Sequence, residues 1–230
     1  MNASRSTLKL LCAVTCLLTF TFGNVSAQQK KQKEQKKIEA SIVTISDFSK
    51  LKESIPKELL SITHGIIIVP KLINAGFVIG GKRGRGIAMV KDEAGKWSNP
   101  VFVTITGGSV GAQIGVQSVE LVLVFKHSST LKDINKSSFT LGGDLSVAAG
   151  PLGRSSSANT DYKLDAEVYS YSKSKGLFAG ISLNGAALDI DKEANEVFYG
   201  KAISAMDIFN TNKSNNVGVM KLKTSLSALK

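Results

Sequence analysis

The sequence predicts an α+β fold, in which a β-rich body of mostly antiparallel strands is flanked by N-terminal and C-terminal helices. Three observations predict it. Apolar residues recur at helical spacing near the start, β-branched runs separated by turn residues follow, and helical spacing returns towards the end. With 21 Gly but only 4 Pro, the composition suits many tight turns and excludes collagen and low-complexity linkers. The strands are expected to form a barrel-like sheet or to pack as two sheets.

Residues 1–27 have the layout of a secretory signal peptide. Arg5 and Lys9 form a positive region, residues 10–22 are almost wholly apolar, and small residues precede a cleavage position after Ala27. Because a membrane span takes about 20 residues, this shorter run predicts cleavage rather than an uncleaved anchor. A lipoprotein processed at Cys16 is the alternative. We expect an exported protein of bacterial type, in the periplasm, in the envelope or outside the cell.

The cysteine content and the charge narrow the possible functions. Cys12 and Cys16 both lie in the expected signal peptide, so a processed chain has no disulfides, thiolate metal sites or cysteine nucleophiles. Without Arg5 and Lys9, the 29 basic residues become 27 against 18 acidic ones, and the net charge of +11 becomes +9. A basic exported protein is expected to meet anionic lipid or polysaccharide rather than nucleic acid.

A basic amphipathic helix is predicted within residues 28–54. Its lysines precede apolar residues that continue at helical spacing, namely Ile38, Ile42 and Ile45. Such a helix either packs on its own domain or lies on a membrane. Pro56 suits the first turn of a second, short helix that ends at Ile62.

From His64 onwards the pattern is mainly that of strands. They are predicted at residues 65–70, 76–81, 87–91, 96–105, 110–116, 119–125, 138–147, 163–171, 177–183 and 186–191. A hairpin turn is predicted at residues 92–95, and Ser128 is predicted to cap a short helix. The body is expected to end with a helix over residues 194–209, followed by a polar tail over residues 210–230.

Residues 97–119 carry no charge, over a length that would suit a transmembrane helix. However, the stretch contains Pro100 and several glycines, and its apolar residues alternate with Thr104 and Thr106. This alternation favours a strand that is buried on both faces of a sheet.

Two strings imitate catalytic motifs. Residues 76–82 have the spacing of a phosphate-binding loop, but Arg83 stands where Ser or Thr would hold Mg²⁺, and a strand follows instead of a helix. Residues 107–111 match the G-x-S-x-G serine motif, but the acid and histidine after Ser109 lie too close in sequence for that fold. A hydrolase is therefore a minor alternative, and a Gly-rich strand is the better interpretation.

No metal or cofactor is expected. His64 and His127 are far apart in sequence, and a strand-to-helix turn explains Asp189, Asp191 and Glu193 better than a cation site does.

An ordered set of motifs over residues 55–200 resembles the SYLF lipid-binding domain, also described as the actin-binding domain of yeast cortical-patch proteins. The motifs are, in chain order, Ile55-Pro56, His64-Gly65-Ile66, Val69-Pro70, Gly76-Phe77-Val78-Ile79-Gly80-Gly81, Arg83-Gly84-x-Gly86, Gly95-x-Trp97-Ser98-x-Pro100, Gly107-Gly108-Ser109-Val110-Gly111-x-Gln113-x-Gly115, Leu141-Gly142, Ala149-Gly150-Pro151-Leu152-Gly153-Arg154, Tyr171-Ser172, Ser174-Lys175-Gly176-Leu177-Phe178-Ala179-Gly180 and Asn195-Glu196-x-x-Tyr199-Gly200. No single motif is specific, but the ordered set is. Both imitations of catalytic motifs are similar to the Gly-rich strands of the family.

The resemblance implies non-enzymatic phospholipid binding, with phosphoinositides as ligands and actin as a partner of some eukaryotic members. Because an exported chain is not expected to meet actin or phosphoinositides, we expect it to bind anionic phospholipid headgroups at a membrane surface. The candidate lipid-binding residues form two basic clusters, Lys30, Lys31, Lys33, Lys36 and Lys37 on the helix and Lys82, Arg83 and Arg85 on a Gly-rich turn. Ile38, Ile42 and Ile45 would add apolar insertion. The alternative is a structural or adhesive envelope protein that binds a protein or glycan, with an ordinary basic hairpin at residues 82–85.

Overall fold

The structure, a computed structural model, describes residues 28–51, 55–134, 138–150, 165–174, 177–178 and 181–229. The expected signal peptide lies outside them. The helices are α1 (28–50), α2 (Lys57–Ser61), α3 (Ser128–Asp133), α4 (Lys192–Tyr199), α5 (Ala205–Phe209) and α6 (Val217–Ser227). The strands are β1 (Gly65–Val90), β2 (Val101–Phe125), β3 (Phe139–Leu141), β4 (Val147–Ala149), β5 (Val168–Ser174), β6 (Leu177–Phe178) and β7 (Ala186–Ile190). The α+β prediction is confirmed.

All of these strands belong to one barrel-like sheet, so the alternative of two packed sheets is wrong. The path runs β3, β7, β2, β5 and β4, while β1 pairs with β2 and β6 pairs with β5. Among the described strands, the β4–β5 pair alone is parallel. The predicted mostly antiparallel arrangement is thus confirmed.

Strands β1 and β2 form one long ribbon, where the sequence predicted several separate strands. The pairing runs from Gly65 opposite Phe125 to Ala88 opposite Val101. The register of the β1–β2 pairing is irregular at residues 69–72 and 76–78, and these irregularities accommodate the proline and the glycines that suggested strand ends. The predicted turn at residues 92–95 is confirmed, and Gly95 supplies its left-handed conformation with φ of 73°.

The ribbon doubles back, so that the two ends of β1 meet. The backbone N–H of Lys91 donates to the carbonyl oxygen of His64 at 2.8 Å. Gly84 permits this close packing, because a Cβ there would lie 2.7 Å from Cγ1 of Val69 and 2.8 Å from Cδ1 of Leu72. The curvature of the sheet therefore depends on small residues at the crossing point.

Each face of the ribbon buries its own core, because successive side chains of a strand point to opposite faces. The inner core includes Val69, Leu72, Val103, Leu123 and Leu188, with Ile208 and Phe209 of α5. The outer core includes Ile68, Ile87, Phe102 and Val122, and helices α1, α2, α4 and α6 cover it. Residues 65–69 and 86–90 of β1 and residues 121–125 of β2 are thus buried on both faces of the ribbon.

Helix α1 confirms the predicted amphipathic helix, and its apolar face packs on the body. Ile38 and Ile45 are at most 1% exposed, and Ile42 is partly buried against the outer core. The expectation that these three residues insert into a membrane is therefore wrong. Their burial against the sheet already removes them from water.

Three other local predictions need correction. The polar tail contains helix α6, whose Val219, Leu222 and Leu226 enter the outer core. The predicted helix over residues 194–209 is two helices, because Gly200 ends α4 with φ of 72°. Ser128 is the first residue of α3, and His127 takes the cap position without a side-chain cap bond.

Candidate functional site

The fold brings the two predicted basic clusters together at the start of α1. Arg83 and Arg85 lie on the outer face of β1, four and two residues before Ile87 of the outer core, respectively. The first turns of α1 lie beside this strand, because both elements contact the start of α4. Arg85 pairs with Asp191 (Nε to Oδ2, 3.4 Å), and Lys30 pairs with Glu193 (Nζ to Oε1, 2.9 Å). We call this region the basic surface, defined by Lys30, Lys31, Lys33, Lys36, Arg83 and Arg85.

Asp191, the N-cap of α4, and Glu193 in its first turn hold the basic surface in place. Asp191 also caps the helix, since its Oδ1 accepts a hydrogen bond from the N–H of Ala194 at 3.1 Å. The hydrogen bond from Lys30 lowers the pKa of Glu193, and the nearby charges of Lys30, Arg85 and Lys33 add to this effect. Asp191 and Glu193 therefore neutralise part of the positive charge. The turn interpretation of these acids is supported, and their role as partners of the cations was missed.

Two of the predicted binding residues are withdrawn from the surface. Lys37 contacts Glu34, and its ammonium lies 5.0 Å from the centre of the Phe102 ring. Lys82 points to the inner face and is only 5% exposed, with Nζ donating to the carbonyl oxygen of Ser182 at 2.5 Å. Burial lowers the pKa of Lys82. Successive side chains of a strand point to opposite faces, and this alternation could have shown from the sequence that Lys82 faces away from Arg83 and Arg85.

The other cations of the basic surface remain available to a ligand. Lys31, Lys33, Lys36 and Arg83 are exposed, and none of them forms an ion pair with another described residue. Even in their ion pairs, the side chains of Lys30 and Arg85 are 58% and 40% exposed. The surface is therefore an exposed array of ammonium and guanidinium groups, which suits a flat anionic partner.

The imitations of catalytic motifs lie inside the long strands. Residues 76–82 belong to β1 and residues 107–111 belong to β2, so neither string forms the strand-turn-helix that its chemistry requires. His64 Nδ1 lies 2.9 Å from the carbonyl oxygen of Lys126, which places it near His127. Nevertheless, the described residues include no group of three His, Cys, Asp or Glu side chains that could hold a metal ion.

Within the described part of the chain, no helix combines the length and the apolarity needed to cross a membrane. Residues 101–119 of the uncharged stretch instead form most of strand β2, as their alternation predicted.

Comparison with known proteins identifies relatives of this chain. Residues 106–229 match the family Ysc84, described as Las17-binding protein actin regulator. LAS seventeen-binding protein 3 of Saccharomyces cerevisiae is 34% identical over 185 residues, which cover 79% of this chain and 40% of the yeast protein. SH3 domain-containing YSC84-like protein 1 is 35% identical over 180 residues in Xenopus laevis and 39% identical over 155 residues in Homo sapiens.

The matched region is only part of each relative. It covers 78% of this chain and 52% of the Xenopus protein, and 67% of this chain and 45% of the human protein. The family description and the names of these relatives refer to binding and regulation rather than to an enzymatic reaction. The chain belongs to the Ysc84 family, which is the SYLF family that its motifs resemble.

Proposed function

We propose that this protein binds anionic phospholipid headgroups at a membrane surface, without enzymatic activity, through its basic surface. The observation that carries the proposal is the convergence of two sequence-distant clusters on one exposed region beside α4. A cation near an anionic membrane contributes about 1 kcal/mol of attraction. Lys31, Lys33, Lys36 and Arg83 together would thus supply about 4 kcal/mol, before the smaller contribution of the paired Lys30 and Arg85.

We also propose that the chain is exported to an envelope or periplasmic location. The positive start at Arg5 and Lys9, the apolar run at residues 10–22 and the small residues before Gln28 support this proposal. Determination of the N-terminal residue of the protein isolated from the envelope tests it: Gln28 is expected, and an intact Met1 would contradict it.

The proposed lipid binding is tested by co-sedimentation with vesicles of phosphatidylcholine alone or mixed with phosphatidylglycerol, at a low and a high salt concentration. We expect binding to the anionic vesicles that weakens as salt rises, because salt screens attraction between exposed charges. The triple variant Lys31→Gln, Lys33→Gln and Lys36→Gln removes about 3 kcal/mol of attraction at most. Its affinity should fall by up to about 100-fold, and its salt dependence should flatten.

A control with the same charge change tests whether the position of the cations matters. Lys50, Lys57 and Lys96 are exposed and lie away from the basic surface. Because an α-helix rises 1.5 Å per residue, Lys50 is roughly 25 Å from Lys33 along α1. Replacing these three lysines with Gln should leave most of the binding intact. Equal losses in the two triple variants would show that net charge alone drives association, which contradicts the proposed site.

A protein or glycan partner is the second proposal, and the family description favours a protein. That description names a Las17-binding actin regulator, and the yeast relative is named for the same binding. Absence of binding to both kinds of vesicle would refute the lipid proposal and favour such a partner. An exported chain would not meet actin, so the export experiment also decides whether actin is a candidate.

A further inference from the structure

A second surface of the molecule is uncharged and exposes apolar side chains. It lies where the ribbon bends, in the two segments 72–81 of β1 and 107–119 of β2, and we call it the ribbon end; its exposed described residues are 73, 81, 108 and 115–118. These two segments contain no Asp, Glu, Lys or Arg. Val116 is 77% exposed and Ile73 is 39% exposed, although the other large apolar side chains that the structure describes in β1 and β2 are buried. Leu177 of the short strand β6 is 74% exposed.

These three apolar residues are close neighbours. Ile73 pairs with Ser118, two residues from Val116, and Val116 itself pairs with Ala75. Leu177 pairs with Ser174, whose hydroxyl donates to the carbonyl oxygen of Ser118 at 3.3 Å. Three strands therefore present apolar side chains at the same end of the sheet. A contiguous exposed apolar region of this kind marks an interaction site more often than single exposed residues do.

The backbone of the ribbon end limits how deeply it can lie in a bilayer. The pairing of β1 with β2 runs from Leu72 opposite Val119 to Gly76 opposite Gly115, and it resumes from Val78 opposite Gly111 to Lys82 opposite Gly107. In an antiparallel pair, the backbone groups that face the partner strand are hydrogen-bonded, while those on the outer edges need water or headgroup oxygens. The ribbon end therefore suits the level of the lipid headgroups rather than the hydrocarbon core.

The charges around the ribbon end favour a lipid bilayer over a second copy of this chain. Lys71 and Arg83 are exposed; Lys71 directly precedes the uncharged segment of β1, and Arg83 follows it after the buried Lys82. Lys71 is two residues from Ile73, or about 7 Å at the rise of a strand, and Gly84, next to Arg83, packs against Leu72. Interfacial insertion reaches about 5–10 Å into the boundary of headgroups and acyl chains. The cations would then lie at the level of the phosphates. In a dimer built on this end, the same cations would face each other and repel, in a chain with a net charge of +11.

We propose that the ribbon end inserts into the headgroup and acyl boundary of an anionic bilayer, with Lys71 and Arg83 contacting lipid phosphates. This inference rests on the proposed lipid binding and adds the apolar contact that the buried face of α1 does not provide. Arg83 belongs to both surfaces, so that the basic surface and the ribbon end can contact the membrane together.

Fluorescence of a probe at the ribbon end tests the insertion. The full chain with Cys12→Ser and Cys16→Ser provides a background without cysteine, since these are its two cysteines. An environment-sensitive probe is attached at Val116→Cys, and at Ala94→Cys in the exposed β1–β2 turn as the matched control. On vesicles of phosphatidylcholine and phosphatidylglycerol we expect a blue shift and quenching by spin-labelled lipid at position 116 but not at position 94.

An affinity measurement separates this inference from the proposed function. The double variant Val116→Ser and Leu177→Ser should bind the same vesicles about tenfold more weakly, because two apolar side chains no longer leave water. Its salt dependence should stay unchanged, because no charge is removed. The charge-removing variants of α1 should instead flatten the salt dependence.

Each other outcome overturns the inference in a different way. Vesicle binding without a shift at position 116 would mean that the ribbon end stays in water, while the proposed function stands. A shift at position 116 in lipid-free protein that grows with protein concentration would assign the surface to self-association. Absence of binding to the vesicles would refute both the proposed function and the insertion that rests on it.

Discussion

Replacement of Asn195 should destabilise the protein strongly, because this side chain joins α4 to the start of β2. Asn195 is 1% exposed, and its Oδ1 accepts a hydrogen bond from the N–H of Phe102 at 2.9 Å. Its Nδ2 donates to the carbonyl oxygens of Phe102 at 3.2 Å and Asp191 at 2.9 Å. The amide thus extends the pairing of β2 on the edge opposite β1, beyond the last pair with β7, Val103 with Ile190.

The structure sets the expected magnitude for Asn195→Ala. The N–H of Phe102 would be left buried without its partner, which costs about 1–3 kcal/mol. The carbonyl oxygen of Phe102 still accepts a hydrogen bond from the N–H of Asp191 at 2.9 Å. The two hydrogen bonds that Asn195 Nδ2 donates therefore cost only their net contribution to stability when they are lost. At about 1 kcal/mol for each of these, the free energy of unfolding should fall by about 3–5 kcal/mol. Urea unfolding followed by fluorescence of the single tryptophan, Trp97, measures it.

The variant Asn195→Asp tests the same reasoning through pH. The introduced carboxylate keeps the acceptor for Phe102 but faces two carbonyl oxygens in a buried site. Its pKa in the folded state should therefore rise above the unfolded value. With this sign, the variant is most stable below the unfolded pKa of about 4 and loses stability as pH rises through the folded pKa. Asn210→Ala, at an exposed side chain, should change stability by less than about 0.5 kcal/mol. A loss below about 1 kcal/mol for Asn195→Ala, or a pH-independent loss for Asn195→Asp, would refute the assigned role.

Two further substitutions test the packing of α1 and the bend of the ribbon. Lys173→Met should lower the free energy of unfolding by about 2 kcal/mol, because Nζ lies 3.0 Å from Asp47 of α1 and 2.9 Å from Glu120 of β2, both partly exposed. Burial alone would lower the pKa of Lys173, but the two carboxylates raise it. The ion pairs of Lys173 therefore stabilise the fold at neutral pH, and this stabilisation is lost as pH rises through the pKa of Lys173 in the folded state. Hydrogen exchange should accelerate in the second half of α1, and unchanged exchange would contradict the tether. Gly86→Ala should cost about 3 kcal/mol in urea unfolding, because its Cβ would overlap the carbonyl oxygen of Ile68 and lie 2.8 Å from Cγ2 of Val69. Gly108→Ala, with no atom within 4 Å of its Cβ, is the control, and equal losses would refute the clash.

Local patterns in the sequence predicted the elements, and long-range pairing decided their lengths. The apolar spacing of α1 and the turn at residues 92–95 were sufficient for correct prediction. Pro70 indicated a strand end, but an irregularity in the ladder accommodates it and β1 continues. Helix α6 was missed because a polar, Asn-rich segment precedes it, although Val219, Leu222 and Leu226 have helical spacing and Asn216 caps the helix.

The candidate site was only partly predictable, because its geometry depends on contacts between distant residues. The sequence identified both basic clusters but could not show that α4 joins them. Asp191 and Glu193 had a sufficient local explanation as a turn, so nothing in the sequence assigned them to Arg85 and Lys30. The exposure of the ribbon end could not be predicted from the sequence for a similar reason. Its apolar alternation is the same as that of a buried strand, and only the exposure of its described residues distinguishes the two.

The string that imitates a phosphate-binding loop has a structural explanation that also accounts for the basic surface. Gly84 and Gly86 lie on the inner face of β1, where the ribbon doubles back and leaves no room for a side chain. Because strand residues alternate between faces, Arg83 and Arg85 must then project to the outer face, beside α1 and α4. Glycines that seem suited to cradling a nucleotide instead bend the sheet, and the bend places the two arginines next to the basic helix. On this argument a larger residue at Gly86 should weaken vesicle binding as well as folding, although it removes no charge.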